Sequence, residues 1–343
     1  MVSTSSTSLE RRLLAEAGDG DEDAFNRLVE PYRRGLHAHC YRMLGSVHDA
    51  EDALQDALLR AWRGLPKFEG RSSLRSWLYK IATNACLDLL AKRPKRVLPL
   101  DYGPPADPND DHLEPLAEPV WVEPYPDEQL GLEGGGATPE ARYELRESVE
   151  LAFVVALQHL PARQRAVLIL RDVLGFSARE AAEVLETSQA AVKSALQRAR
   201  TAVEERLPDQ SQQATLRSLG DDGIREVVDR YMDAWERNDF DAIVAMLAED
   251  ATLAMPPTPS WYSGRDAIAA FYAIHGPARW RHIPTRANGQ LAVGCYHWDA
   301  ESGTYEAEVL DVLTMRGSRI AAVTAFLDPQ VFQHFDLPDR LPR

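Results

Sequence analysis

The chain has 343 residues, 45% of them hydrophobic, and a formal net charge of −15, which leaves room for two or three domains with sizeable cores. Cys40, Cys86 and Cys295 are scattered without metal-ligand spacing and make a poor disulfide framework. The start MVSTSSTSLERR lacks an apolar signal core, and no window reaches the roughly 18 uninterrupted apolar residues of a membrane-spanning helix, so neither secretion nor membrane insertion is expected and a cytoplasmic location is.

Residues 1–8 read as an irregular Ser/Thr tail. Helical periodicity follows over 9–92, first in Leu13, Leu14 and Ala17, then in Phe25, Leu28, Val29, Tyr32, Leu36, Cys40, Met43 and Leu44. Gly45-Ser46 ends that helix and Asp49 is the candidate N-cap of the next, whose stripe is Ala53, Leu54, Ala57, Leu58, Ala61 and Trp62. After a loop at Pro66 and Gly70, the stripe Leu74, Trp77, Leu78, Ile81, Ala82, Ala85, Leu89 and Leu90 makes a long helix that stops before Pro94. Residues 60–100 carry ten basic and two acidic side chains. The overall acidity therefore does not exclude nucleic acid, because local potential decides what a surface attracts. Arg71, Arg75, Lys80, Lys92 and Arg93 beside Trp77, Tyr79 and Asn84 suit phosphates and unstacked bases. Trp77 lies on the apolar stripe and is expected in the core, whereas Tyr79, off its centre, is expected to be exposed.

Residues 101–140 carry eleven acidic side chains, eight prolines and no Lys or Arg. The stretch 96–140 reads as an extended linker containing Gly134-Gly135-Gly136, with Trp121, Val122 and Tyr125 as apolar exceptions. Helices return over 141–207. Leu151, Val154, Val155, Leu157 and Leu160 form one stripe, and Pro161 opens the next helix. Ser177 caps a short helix with Ala181, Ala182 and Leu185, and Ser188 caps a longer one with Ala191, Val192, Leu196, Ala199 and Val203. This pair reads as a helix-turn-helix, the alternative being an ordinary helical hairpin with a basic solvated face. On its second helix Ser188, Gln189, Ala190, Lys193, Ser194 and Gln197 are placed to meet base edges, and Lys193, Arg198 and Arg200 suit phosphates or guanine.

A Gln/Ser-rich second linker is expected over 208–220 and a further domain over 221–335. Amphipathic helix fills 223–248, a strand is expected at 251–255, and a short helix at 267–275. Alternating runs at 280–287, 290–298, 304–315 and 319–327, separated by Asn288-Gly289, Ser302-Gly303 and Gly317, predict an antiparallel sheet and an α+β fold. In EAEVLDVLTM, alternation puts Glu306 and Glu308 on one face and Asp311 on the other. No HExxH or similar spacing occurs, so neither metal nor cofactor is expected.

The stretches DAEDALQDALLRAW, FEGRSSLRSWLYKIATNACLDLLAKR and LPARQRAVLILRDVLGFSAREAAEVLETSQAAVKSALQRAR resemble regions 2 and 4 of the extracytoplasmic-function group of bacterial sigma-70 factors, over about 20–95 and 140–207. The resemblance implies two all-α modules, region 2 over 9–95 and region 4 over 141–207, that bind core RNA polymerase and promoter DNA. Asp49, Glu51, Asp52, Gln55 and Asp56 would grip the clamp helices of the β′ subunit. The loop with Phe68, Arg71, Ser72 and Ser73, and the helix with Arg75, Tyr79, Lys80 and Asn84 followed by Lys92 and Arg93, would capture the minus-10 element. The helix after Ser188 would enter the major groove at the minus-35 element while its module sits at the β flap, and the linker would thread toward the RNA exit channel. Ala195 departs from the group, which often has a basic residue there, and no anti-sigma partner is specified.

The segments IREVVDRYMDAWERNDFDAIVAMLAEDATLAMPP, SGRDAIAAFY and HIPTRANGQLAVGCY resemble the SnoaL-like branch of the NTF2-like cone fold, which implies helices wrapped on a curved sheet around a pocket. Its candidate polar residues are Trp235, Trp261, Tyr262, His282, Arg286, Asn288, Tyr296 and Asp311. His282 reads first as a structural or exposed histidine and second as a catalytic one. Because such pockets host enzymes as well as ligand sites, three readings stand. In the first the chain is an initiation factor with a regulatory C-terminal domain that binds a small molecule. In the second it is a ligand-responsive DNA-binding regulator that never joins polymerase. In the third the C-terminal domain is an enzyme of isomerase, cyclase or hydrolase type.

Overall fold

A computed structural model describes residues 3–109, 121–130, 139–275 and 278–343. The helices are α1 (Ser3–Gly18), α2 (Glu22–Leu44), α3 (Val47–Gly64), α4 (Leu74–Leu90), α5 (Pro99–Tyr102), α6 (Pro139–Glu147), α7 (Leu151–Gln158), α8 (Ala162–Leu168), α9 (Ala178–Val184), α10 (Gln189–Glu204), α11 (Gln212–Glu236), α12 (Phe240–Met246), α13 (Arg265–His275) and α14 (Val331–His334). The strands are β1 (Leu247–Ala254), β2 (Trp261–Ser263), β3 (Trp280–Ala287), β4 (Gln290–Asp299), β5 (Thr304–Arg316), β6 (Arg319–Phe326) and β7 (Arg340–Leu341). The chain divides into two compact units, Met1–Lys95 with Gln129–Gly131 and Ala156–Arg206, and Arg96–Glu128 with Leu132–Val155 and Leu207–Arg343. No described helix is long and apolar enough to cross a membrane.

The first unit is helical. The N-terminal Ser/Thr run is not an irregular tail. With no Gly or Pro before Gly18, the helix of the LERRLLAEA segment extends back to Ser3. Asp21 caps α2, its Oδ1 accepting the Ala24 amide at 3.0 Å, and Gly45 at φ 72° ends it in the left-handed conformation that favours glycine. Ser46, rather than Asp49, caps α3, since its Oγ accepts the Asp49 amide at 3.0 Å. The core of α2, α3 and α4 is a seam of small and medium residues, among them Cys40, Ala50, Ala53, Ala57, Ala82 and Cys86, all buried. Arg165 on α8 closes the open C-terminal turn of α2. Its guanidinium donates to the Met43 and Leu160 carbonyls and to both Gln158 oxygens, while Gln158 Nε2 donates to the Arg42 carbonyl at 3.2 Å.

The second unit is built on one sheet of order β2-β1-β6-β5-β4-β3, with β7 on β5. It is mixed rather than purely antiparallel, because β1 and β6 pair in parallel. The β3–β4 turn has Asn288 at φ 56° and Gly289 at φ 69°, the pair of left-handed residues that a tight hairpin requires. This turn also anchors the expected linker. Asn288 exchanges hydrogen bonds with Tyr125 at 2.8 Å and donates Nδ2–H to the Val149 carbonyl at 2.7 Å, and Asp127 Oδ1 accepts the Gly289 amide at 2.7 Å. Trp121, 5% exposed, donates Nε1–H to the Pro257 carbonyl at 2.8 Å. The apolar exceptions in the acidic stretch are thus its attachment points, while Gly134-Gly135-Gly136 lie outside the described residues. The Gln/Ser stretch expected as a second linker is instead the first part of α11, bent at Gly220 (φ 68°). Gln212 and Gln213 are buried because their amides serve sheet backbone: Gln212 bonds both N–H and C=O of Met315.

Candidate nucleic-acid interface and cavity

The helical period of α3 sorts its acidic residues. Positions 49, 53 and 57 share the buried stripe, so Asp49 is 2% exposed and paired with Arg93. Asp49, which the resemblance counts among the residues that would grip the clamp helices, is therefore turned inward, unlike Glu51, Asp52 and Gln55. Glu51, Asp52 and Gln55 are exposed and line a concavity of about 690 Å³ floored by Phe25, Leu58 and Trp62. Asp56 is half-buried and pairs with Arg60 at 2.7 Å. Carboxylates at the rim of an open apolar floor suit a partner element with a basic edge and an apolar face.

The residues around α4 separate into two groups. Ser73 caps the helix, its Oγ accepting the Ser76 amide at 3.0 Å, and Phe68 packs on Trp77 with ring centroids 4.9 Å apart. Phe68, Ser72, Trp77 and Asn84 are half-buried, Lys92 is exposed, and Arg71 is exposed in a pair with Glu69. The other group is covered by the segment around α9. Arg75 donates Nη2–H to the Leu174 carbonyl at 2.7 Å, with its guanidinium carbon 4.3 Å from the Phe176 ring centroid. Lys80 Nζ is 2.9 Å from Glu186 Oε1. Tyr79 is buried, not exposed as expected, between His39 and Phe176, and burial raises its pKa. The sequence signal lies on the neighbouring helix. Gly35 leaves the space, since a Cβ there would come within 2.8 Å of the Tyr79 hydroxyl. Trp77 takes the half-open position instead.

Ser177 and Glu180 form a reciprocal capping box that opens α9. On α10, Val192, Leu196, Ala199 and Val203 form the buried side. Ser188, Gln189, Ala190, Lys193, Ser194, Gln197, Arg198 and Arg200 are all exposed. Ser188 caps the helix through its hydroxyl, which accepts the Ala191 amide at 3.1 Å. Arg198 donates to Ser194 Oγ at 2.7 Å, and Arg200 holds both oxygens of Asp172 at 2.7 and 2.8 Å.

In the second unit a cavity of about 200 Å³ lies between α11, α13 and the sheet, walled by Trp235, Phe271, Tyr272 and Trp280. Of the expected polar residues it contains Trp235, His282 and Asp311. Trp261 instead donates Nε1–H to the Gly103 carbonyl at 2.8 Å, and Tyr262 stacks on Phe271 at 4.6 Å. Arg286 belongs to an outer concavity with Asp127 and Arg146, Asn288 to the hairpin latch, and Tyr296 to the opposite sheet face against Phe332 at 5.2 Å. Alternation fails for Glu308 because of how β5 pairs with β4. Cys295 pairs with Val309 and Tyr296 with Ala307, so Glu308 is an extra residue in β5. That bulge resets the parity and brings Glu308 as well as Asp311 to the cavity. Asp311 Oδ2 accepts Tyr231 Oη–H at 2.8 Å and Cys295 Sγ–H at 3.5 Å. Burial raises the Asp311 carboxyl to about 6 and lowers the imidazole of His282 to about 4, so that His282 is neutral near pH 7.

Residues 28–96 match the model of Sigma-70 region 2, 150–203 that of Sigma-70 region 4, and 228–323 that of the SnoaL-like domain. The ECF RNA polymerase sigma factor SigG of Mycobacterium tuberculosis (strain ATCC 25618 / H37Rv) is 42% identical over 332 residues, which is 95% of this chain and 87% of the relative. SigW of Bacillus subtilis (strain 168), another ECF sigma factor, is 29% identical over 201 residues, covering 58% of this chain and 97% of its own. The crystal structure of the extracytoplasmic function sigma factor SigJ from Mycobacterium tuberculosis is similar in fold, with a TM-score of 0.56, 24% identity and coverage of 90% and 98% of the two chains.

Proposed function

Because this chain belongs to the extracytoplasmic-function family of RNA polymerase sigma factors, it directs promoter-specific transcription initiation, and we propose the following division of that work among its surfaces. The rim of Glu51, Asp52, Gln55 and Asp56 on α3 seats the chain on the β′ clamp helices of core polymerase. The loop Phe68–Ser73, with α4 and its basic end, captures the minus-10 element, and α10 reads the minus-35 element while its module rests on the β flap. The observation that carries the last assignment is the one-sidedness of α10, with a buried apolar seam behind eight exposed residues. The compact first unit, with Arg75 and Lys80 engaged by Leu174, Phe176 and Glu186, is the polymerase-free state, and recruitment separates α4 from that segment. The SnoaL-like domain is regulatory. It sets how readily the sigma modules engage, through the acidic stretch anchored at Trp121 and Tyr125.

In vitro transcription with bacterial core polymerase across a promoter library tests this reading. Asp52→Lys is expected to abolish holoenzyme formation, and Lys193→Ala to lower initiation with holoenzyme intact. Trp121→Ala, which releases the anchor, is expected to change promoter output without changing core binding. A chain that forms no holoenzyme with core refutes the whole assignment. One observation favours the enzymic reading of the C-terminal domain, namely a buried carboxylate, Asp311, beside an apolar cavity. Turnover by the isolated full-length chain would establish it.

A further inference from the structure

Asp311 is 5% exposed and sits at a cavity wall, yet no basic side chain pairs with it among the described residues. Its partners are two neutral donors, the Tyr231 hydroxyl and the Cys295 thiol. A buried carboxylate is normally matched by a cation, because desolvating an unpaired charge is costly. The rest of the cavity is arranged as if to receive one. A second carboxylate, Glu308, lines it, with Oε2 3.7 Å from His297 Nδ1, and among the described residues no Lys or Arg does. The imidazole that lines it is uncharged, as burial holds His282 down at about 4. The walls are aromatic, with Trp235 set edge-on to Tyr272 at 4.9 Å and to Trp280 at 6.2 Å, and ring faces attract organic cations. The buried Tyr272 hydroxyl also belongs to this wall and has lone pairs to accept a hydrogen bond.

We propose that this cavity binds a small organic cation, an amine on a compact apolar body, with its ammonium at Asp311 and Glu308 and its body between Trp235, Tyr272 and Trp280. A space of about 200 Å³ takes one substituted six-membered ring and no more than a short chain beyond it. Anions are rejected by the two carboxylates, and neutral isosteres leave Asp311 unmatched. Other groups that face the site are Tyr231 and Cys295 beneath Asp311, and Glu236, whose Oε1 is 3.7 Å from His282 Nδ1 and whose other oxygen is 3.8 Å from Arg281. This Arg281–Glu236 pair balances itself and leaves the deficit at Asp311.

The proposal rests on the regulatory reading only for its consequence, since binding is measured on the full chain without polymerase. Saturation-transfer NMR and titration calorimetry at pH 8 would compare phenethylamine with 2-phenylethanol and 3-phenylpropanoate. The amine is expected to bind at least about tenfold more tightly than the alcohol, in keeping with a desolvated cation–π and ion-pair contact, and the propanoate not at all. Asp311→Asn is expected to abolish that preference, and Glu308→Gln, on the half-exposed rim, to reduce it severalfold in a chain whose folding circular dichroism can verify. Equal or tighter binding of the alcohol, absence of amine binding, or an amine preference unchanged in both variants would overturn the proposal. Amine binding with unaltered promoter output would instead overturn the regulatory reading and leave the site standing.

Discussion

The Arg75 guanidinium donates to the carbonyl of Leu174 at 2.7 Å while lying over the ring of Phe176. A cation assigned to promoter DNA is therefore spent on a backbone acceptor and an aromatic face from the other sigma module. A cation–π contact of this kind contributes about 0.5–2 kcal/mol. Replacing Phe176 with Leu keeps the buried volume apolar but removes the ring. The expected outcome is a several-fold larger open population, seen as faster hydrogen exchange along α4 and faster holoenzyme formation. Glu186→Lys, which sets two cations against each other at Lys80, is expected to act in the same direction and to lose its effect in high salt.

Arg165 tests a different contact inside the first unit. It is 4% exposed, and burial lowers its pKa only to about 10, so it remains charged at neutral pH. Its hydrogen bonds satisfy carbonyls at the end of α2 and around the α7–α8 turn. Arg165→Met keeps most of the volume but leaves those acceptors buried and unpaired. The expected loss is about 3–5 kcal/mol, measured as a fall in the urea midpoint, with the α4–α9 contacts loosened as well. A change below about 1 kcal/mol would mean that water can replace the guanidinium.

Much of this organisation is legible in the sequence because periodicity and capping are local. Ser177, Ser188, the Asn288-Gly289 hairpin and the strands after 280 follow from residue types within a turn of each other. Three features are not local. Tyr79 is buried with its hydroxyl in the space that Gly35, forty-four positions earlier in the chain, leaves open. Glu308 reaches the cavity because a single-residue bulge opposite Cys295 overrides strict alternation. Gln212 and Gln213 look like linker residues because side-chain amides that satisfy a distant sheet carry no periodic mark. The pairing of Asp49 with Arg93 is intermediate. The burial of Asp49 follows from its place one turn before Ala53, but its partner lies beyond the end of α4.

On α10, the helix proposed to read the minus-35 element, Asp172 neutralises Arg200 through a two-point ion pair. Asp172→Ala is expected to release one cation for phosphate. Promoter affinity should rise at low salt, and the dependence of log affinity on log salt should steepen by about one. Lys193→Ala should weaken binding evenly across sequences, whereas Gln189→Ala should relax base preference at one position. Electrophoretic titrations over a salt series with minus-35 variants separate the three.

The last prediction concerns stability and pH at Asp311. Its carboxyl is raised to about 6 in the folded chain, against about 3.9 in an unfolded one. A raised carboxyl favours folding in its protonated form, so the stabilising contribution is full below about pH 4 and is lost as pH rises through about 6. Above that, holding Asp311 ionised costs about 3 kcal/mol. Glu150, raised to about 7 by burial although it accepts the Gln212 and Gln213 amides, adds a loss of the same sign, so the wild-type profile alone does not isolate Asp311. The difference from Asp311→Asn does. The variant keeps an oxygen to accept from Tyr231 and is expected to be more stable than the wild type at pH 8, with the gap closing toward pH 4 in urea titrations. Phenethylamine at saturating concentration should close the same gap at pH 8 from the other side, by matching the carboxylate in the wild type and having nothing to match in the variant. A variant equally stable at both pH values would mean that Asp311 is solvated through the cavity mouth.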